Sequence, residues 1–418
     1  MRLRHNIVQL FVWQGGNYIV PLVVTPYLAR TLGLHAYGVF GLTLAVMSYC
    51  MLVTDWGFGL SATQKVAFAA HDPIKLRTIF WDTIVAKMLL GGGAVAVLAV
   101  VIIVIPQLRA IWPTLSAAGL VILATALSCD WFLQGMQRMG SFAAASLCGR
   151  LMTIPLMLIF VHRPEDVAIA AVIQGISQAL SAIASIVISS RLVSLWPMDI
   201  RIRAAFREIR DGSHQFISNL SVSMYTQANA IFVGIGAGAA QAGLLTSSQR
   251  ISQAFQGLVV PINLAVYPMV NRLMVADRVA ATRLMIRVLI GQAIFAFVLS
   301  AAMYLAAPPL VSLFLGKEFE GAIAVVRILA LLPFLIGVTN VLGTNMLLPL
   351  GLKRHYTGCL IIVGVFNVIS LCILAPRYGA LGGAACAALT EAILVCLMAS
   401  VLWRRRHGIL SPHSETQP

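Results

Sequence analysis

Five basic residues lie inside long apolar runs, where charge is costly. Arg150 and Arg250 each sit about ten residues into their runs, near mid-membrane by helical rise. A buried guanidinium there costs several kcal/mol unless it is solvated or paired. Its planar fork suits carboxylate and phosphate groups, so these two are candidates for holding an anion, with a structural ion pair as the alternative. Lys87 and Arg287 lie nearer the run ends, where snorkelling to the interface explains a cation. Arg327 fits either role. Three carboxylates, Asp55, Asp130 and Glu391, also fall within or beside apolar runs. They are candidates for a coupling ion, H+ or Na+. Asp55 and Asp130 are equally candidate interhelical partners for Arg150, and Glu391 could be a hydrogen-bonded structural carboxyl.

Uncharged polar residues join them. Gln14, Asn17 or Tyr18, and Thr25 share one face of the first run. Tyr225, Gln227 and Asn229 close a run that also holds Ser218, Asn219 and Ser221, and Gln249, Gln253 and Gln256 recur at helical spacing beside Arg250. Such stripes are too polar to face lipid. They line either a water-filled cavity or a set of interhelical hydrogen bonds. The cavity is the better reading, because hydrogen-bonded helix packing has no need of Arg250. No Gly-rich phosphate loop, H-E-x-x-H or large external loop is present in the sequence. Neither enzymatic chemistry nor a cofactor or metal is expected. The seven cysteines all lie in apolar runs, as small packing residues would.

The elements that carry these residues follow from composition. The 418 residues are 60% hydrophobic and 10% charged, with mean hydropathy +0.91. A soluble domain carries about 25% charged residues. The apolar runs predict twelve membrane-spanning helices. They cover roughly 7–28, 37–58, 80–105, 114–133, 141–161, 167–190, 214–236, 243–268, 284–306, 322–348, 356–375 and 380–402. Met1–His5 and the first run lack a small-residue cleavage site, so this run is expected to remain as a span. With a cytoplasmic N-terminus, nineteen Lys and Arg fall in cytoplasmic gaps and five in opposite gaps, with the other five inside spans. This bias predicts N-in and C-in. It accounts for most of the +15 net charge without invoking nucleic acid.

Arg191–His214 is the longest polar interruption. Arg201, Arg203, Arg207 and Arg210 alternate there with Ile202, Ala205, Phe206 and Ile209, as in a basic amphipathic helix on the cytoplasmic leaflet. The expected organisation is therefore a six-helix lobe at 1–190, a basic linker at 191–213, a second six-helix lobe at 214–403 and a basic tail at 404–418. Weak self-similarity links the halves. Gly33–Gly38 matches Gly238–Gly243, Gly135-Met-Gln-Arg138 matches Gly351-Leu-Lys-Arg354, and Ser177-Gln178-Ala179 matches Thr390-Glu391-Ala392. An all-α polytopic protein follows, with two lobes related by a pseudo-two-fold along the membrane normal. The polar runs one, seven and eight would line a cavity between the halves.

Several stretches resemble the polysaccharide repeat-unit flippases. They are Trp13-Gln14…Asn17-Tyr18…Pro21…Pro26-Tyr27-Leu28-Ala29-Arg30-Thr31-Leu32-Gly33…Tyr37-Gly38, Asp55-Trp56-Gly57-Phe58, and Asp130-Trp131-Phe132-Leu133-Gln134-Gly135 with Arg150 downstream. Gly316-Lys317-Glu318-Phe319 and Tyr378-Gly379-Ala380-Leu381-Gly382-Gly383 match more loosely. The resemblance spans nearly the whole chain. It implies a member of the multidrug/oligosaccharidyl-lipid/polysaccharide exporter superfamily, of the O-antigen type, in the bacterial inner membrane. It also implies that undecaprenyl-diphosphate-linked oligosaccharide is translocated by alternating access for surface polysaccharide, with a polymerase and other assembly proteins as possible partners. In that setting Arg150 and Arg250 would face the anionic group, with Arg327 a further substrate-binding candidate. Gln14, Asn17, Tyr18, Tyr225, Gln227, Asn229 and Gln253 would face sugar hydroxyls. A drug/cation antiporter of the same superfamily and a membrane-embedded ligase or glycosyltransferase are the competing readings.

Overall fold

The computed structural model describes residues 2–193 and 202–410. Side chains are described from Val20 to Arg404, apart from Met139, Val260, Pro261, Leu264, Ala265 and the gap at 194–201. The described backbone is helical almost throughout. Eight of its helices are long and apolar enough to cross a membrane. Two of these are about twice the length one crossing needs: Val20–Phe68 has 49 residues and Lys353–Arg404 has 52. Glycine at positive φ breaks both, Gly33 at φ 71° and Gly379 at φ 54°. A side chain with a Cβ pays for that conformation. The expected spans 7–28 and 37–58 lie on either side of Gly33, and 356–375 and 380–402 on either side of Gly379.

Other boundaries are set by capping. Asp72 accepts backbone N–H groups of Ile74 and Lys75 at the start of Pro73–Val104, and Asp277 accepts those of Val279 and Ala280 at the start of Arg278–Leu305. Each side chain satisfies donors that the first turn leaves unpaired. The outward faces are apolar. Val97, Val100, Ile103 and Val104 of Pro73–Val104 are all exposed, as contact with acyl chains requires.

The chain forms two compact units. One comprises Met1–Ser223 and Gly238–Gly243, the other Met224–Ala237 and Leu244–Pro418. In the first unit, close helix contacts depend on small residues. A Cβ on Gly149 would collide with the Ser177 carbonyl of the neighbouring helix Val167–Ser190. Its aromatic core gathers Phe58, Phe80, Trp131 and Phe132, with edge-to-face contacts between Phe80 and Phe132 and between Trp131 and Phe132.

The basic segment expected as a linker continues without a break into the next run, as the single helix Ile202–Thr226. Residues 194–201 of that segment, and the tail beyond 410, lie outside the described residues. Ala204, Ala205, Glu208 and Gly212 of the helix are buried, while Ile202, Arg203, Phe206, Arg207 and Arg210 are exposed. Lys65 makes two 2.7 Å ion pairs to this helix, to the buried Glu208 and to the exposed Asp211. Trp56 donates its indole N–H to the Ile209 carbonyl at 2.7 Å and stacks on Phe216 with centroids 3.8 Å apart.

Candidate functional site

A helix break builds the main polar site of the first unit. Helix Leu120–Leu127 ends at Ser128 and a new helix starts at Asp130. The extended backbone of Ser128, φ −66° and ψ 135°, leaves its carbonyl without a helical donor. The Lys87 ammonium fills that place. It donates to the Ser128 carbonyl and to Ser128 Oγ at 3.1 Å each, and it pairs with Asp55 Oδ1 at 3.0 Å. On the other side of the break, Ser185 Oγ accepts the Cys129 N–H at 3.0 Å. The three N–H groups of Lys87 are thereby all engaged.

Asp55 owes its position to the turn that follows it. Trp56 (φ 43°) and Gly57 (φ 95°) are both left-handed and start the helix Phe58–Phe68. Trp56 bears that strain as a non-glycine residue, with its ring anchored on Phe216. Asp55, Lys87, Ser128 and Asp130 line a cavity of about 510 Å³, with Gln134, Gln178, Gln215 and Asn219 completing its polar wall. Asp130 Oδ1 is buried with no hydrogen-bond partner among the described residues, and Asp130 lies within electrostatic reach of Lys87, Asp55 and Arg150.

Snorkelling does not describe Lys87. The side chain is 1% exposed and points into the protein, because the Ser128 carbonyl and Asp55 offer it closer partners than the interface does. Asp55 accordingly pairs with Lys87 and not with Arg150. Arg150 has an exposed side chain, and among the described residues no carboxylate comes within ion-pair distance of it.

A second polar cluster lies in the other unit. Glu391, 8% exposed, accepts a 3.1 Å hydrogen bond from Thr339, with Tyr225 and Tyr356 in its electrostatic neighbourhood. Beside it, Asn367 accepts from Thr390 at 3.0 Å and donates to Asn229 Oδ1 at 3.3 Å and to the Met224 carbonyl at 3.1 Å. Asn229, Asn367 and Thr390 are fully buried, so these bonds hold helices together. Thr339 leads into a seven-residue π-helix, Val341–Leu347. Such a segment is rare and recurs at functional sites. Here it carries Asn345, which donates to Asn263 at 2.9 Å.

Of the residues singled out in the sequence, Asp55 and Asp130 meet in the first cavity, and Tyr225, Asn229 and Glu391 gather in the second cluster. Arg250 is half-buried and donates to the exposed Gln253 at 3.1 Å. Gln227 is exposed. Arg327 is also exposed and lies over the Tyr304 ring, 5.6 Å from its centroid. Gln14, Asn17 and Tyr18 lie outside the residues whose side chains are described. Sequence reasoning passed over Lys87, Ser128, Gln134, Gln178 and Gln215 as site residues. Gln178 carried a usable signal, since it aligns with Glu391 in the internal repeat.

Apolar helices long enough to span, packed around polar clusters, define a multi-pass membrane protein. The polysaccharide biosynthesis protein family profile matches residues 3–274. An Escherichia coli (strain K12) protein named "Putative O-antigen transporter" is 31% identical over 402 residues, covering 95% of this chain and 96% of its own. A Shigella dysenteriae protein of the same name is 26% identical, covering 95% and 99%. The chain belongs to the polysaccharide biosynthesis protein family. Its fold is shared with an inward-facing multidrug resistance MATE family transporter of the MOP superfamily, at TM-score 0.75 and 16% identity over 98% of this chain and all of that one. It is also shared with the lipid II flippase MurJ in an inward closed conformation, at TM-score 0.71 and 13% identity over 95% and 87%.

Proposed function

We propose that this protein is a flippase that moves undecaprenyl-diphosphate-linked oligosaccharide repeat units across the bacterial inner membrane by alternating access, supplying surface polysaccharide synthesis. The observation that carries this is the relative named as an O-antigen transporter, matched over 95% of the chain. The physics agrees. A sugar diphosphate head cannot cross hydrocarbon unaided, and buried amides and charges can replace its hydration while the lipid tail stays in the bilayer. The same relatives favour this reading over a drug/cation antiporter, and nothing favours a ligase or glycosyltransferase. The protein is a transporter rather than an enzyme on this reading, and a polymerase and other assembly proteins are its expected neighbours.

The finer architecture belongs to the proposal: twelve spans in two six-helix lobes, with both termini cytoplasmic. Equivalent local structures in the two units support the duplication. Asp72 and Asp277 cap the third and ninth expected spans in the same way. Thr153 bonds Ser177 across spans five and six at 2.7 Å, as Asn367 bonds Thr390 across spans eleven and twelve. Ser177 and Thr390 are the residues that the sequence repeat pairs. Arg150 and Arg250 are proposed to meet the diphosphate or an acidic sugar, with Arg327 as a further substrate-binding residue. Asp55, Asp130 and Glu391 are the proposed coupling-ion carriers, for H+ or Na+.

Deletion of the gene tests the reading. Lipid-linked repeat units should accumulate on the cytoplasmic leaflet and surface polysaccharide should disappear. Normal surface polysaccharide in a strain with no second flippase would rule the role out.

A further inference from the structure

We propose that the cavity of the first unit receives the sugar part of the lipid-linked substrate and not its diphosphate, an inference that rests on the flippase reading. The cavity's volume of about 510 Å³ falls within the range of about 300–1,000 Å³ found for small-molecule sites. Its lining gives the chemistry. Of its four carboxamides, Gln134 and Gln178 supply both donors and acceptors, while Gln215 donates to Asn219 Oδ1 at 3.0 Å and the pair offers the Gln215 carbonyl and the Asn219 N–H groups. Sugar hydroxyls need both.

The charges point the same way. Among the described residues Lys87 is the one cation lining the cavity, and its three N–H groups already go to Asp55 and Ser128. Moving it toward a phosphate would strand the Ser128 carbonyl and Asp55. The lining therefore offers no free cationic donor of the kind that phosphate recognition uses. Two carboxylates face one cation in the described lining, so there is no surplus of positive charge to attract a diphosphate. Arg150 acts on Asp130 without an ion pair and does not line the cavity. Asp130 lines the cavity as a carboxylate, and its Oδ1 is buried with no hydrogen-bond partner among the described residues. Leu60 and Phe142 supply an apolar patch on the wall for a ring face.

The experiment uses the full chain in lipid nanodiscs and two probes. One is the lipid-linked repeat unit extracted from the host strain lacking this gene; the other is undecaprenyl diphosphate without sugar. Affinities for both are measured for the wild type, Gln178→Ala and Gln134→Ala. Each variant should bind the glycosylated lipid about fivefold or more weakly, the worth of one lost hydrogen bond of about 1 kcal/mol. Each should bind undecaprenyl diphosphate as the wild type does, and that unchanged affinity also reports intact folding. Two variants guard against one of them failing to fold. Equal weakening toward both lipids by well-folded variants would place the diphosphate in the cavity and overturn the proposal while sparing the flippase. No weakening toward either would overturn it as well. A wild type that does not bind the glycosylated lipid would instead refute the flippase reading, and this inference with it.

Discussion

Lys87 shows how one buried cation organises its surroundings. Replacing a buried pair by apolar side chains is often tolerated, whereas removing one partner strands the other charge. Lys87→Met should therefore cost less than Asp55→Ala, because the Asp55 it leaves is 52% exposed and open to water, although the Ser128 carbonyl loses its donor. Asp55→Ala should cost about 1–3 kcal/mol as an unpaired polar group does, less than a fully buried pair because the Asp55 side chain is 52% exposed. The double variant should recover. Membrane abundance and thermal stability of the purified proteins check this; a Lys87→Met protein as unstable as Asp55→Ala would refute the asymmetry. Arg150 and Arg250 separate by another readout. With no ion-pair partner for either among the described residues, Arg150→Ala and Arg250→Ala should cut export strongly at normal protein level, Lys should retain part, and Glu should be worst. Normal export by both Ala variants would end their assignment to the diphosphate. Counting depth from the end of an apolar run misjudged Lys87. What decides its direction is the helix break at Ser128, and that break has neither Gly nor Pro to announce it.

At the scale of the element, the helix Ile202–Thr226 matters most. The alternation of arginines with Ile202, Phe206 and Ile209 predicted a helix, and a helix is present. Its partner face was not legible, because Lys65 and Trp56 lie more than 140 residues away in sequence. The clamp carries a pH signature. Burial pushes the Glu208 carboxyl up from its ordinary value of 4.5 despite the opposing Lys65. The folded state then holds this proton to higher pH than the unfolded chain does, so Glu208 makes the docked helix weaker as pH rises from about 4.5 upward. Glu208→Gln should flatten that dependence and be neutral or stabilising near pH 7. Lys65→Ala should destabilise, and Glu208→Gln in the Lys65→Ala background should restore part of the loss. Thermal denaturation from pH 4.5 to 7 measures both; a stability that rises with pH in the wild type and not in Glu208→Gln would contradict the sign.

For the whole molecule, the apolar runs made a membrane-embedded all-helical fold legible, and Gly33 and Gly379 break the helices between expected spans. The polar runs after residue 213 were harder to read. Ala239–Gly257 falls short of the hydropathy that marks a crossing, and only tertiary packing tells such a helix from a loop. Topology follows from the charge bias: reporters fused after Arg406 should be cytoplasmic, and reporters near Arg109, His162 and Lys317 periplasmic. A periplasmic C-terminus would contradict the even span count. The most direct measurement of the central claim is translocation by the purified chain. Proteoliposomes should carry the host's lipid-linked repeat unit, and a sugar-modifying enzyme added outside should report the exposed fraction. The account predicts that the protein equilibrates the inner-leaflet pool within the assay while protein-free vesicles keep it sequestered. An inner pool that stays inaccessible with folded protein, under both imposed proton and sodium gradients, would contradict it.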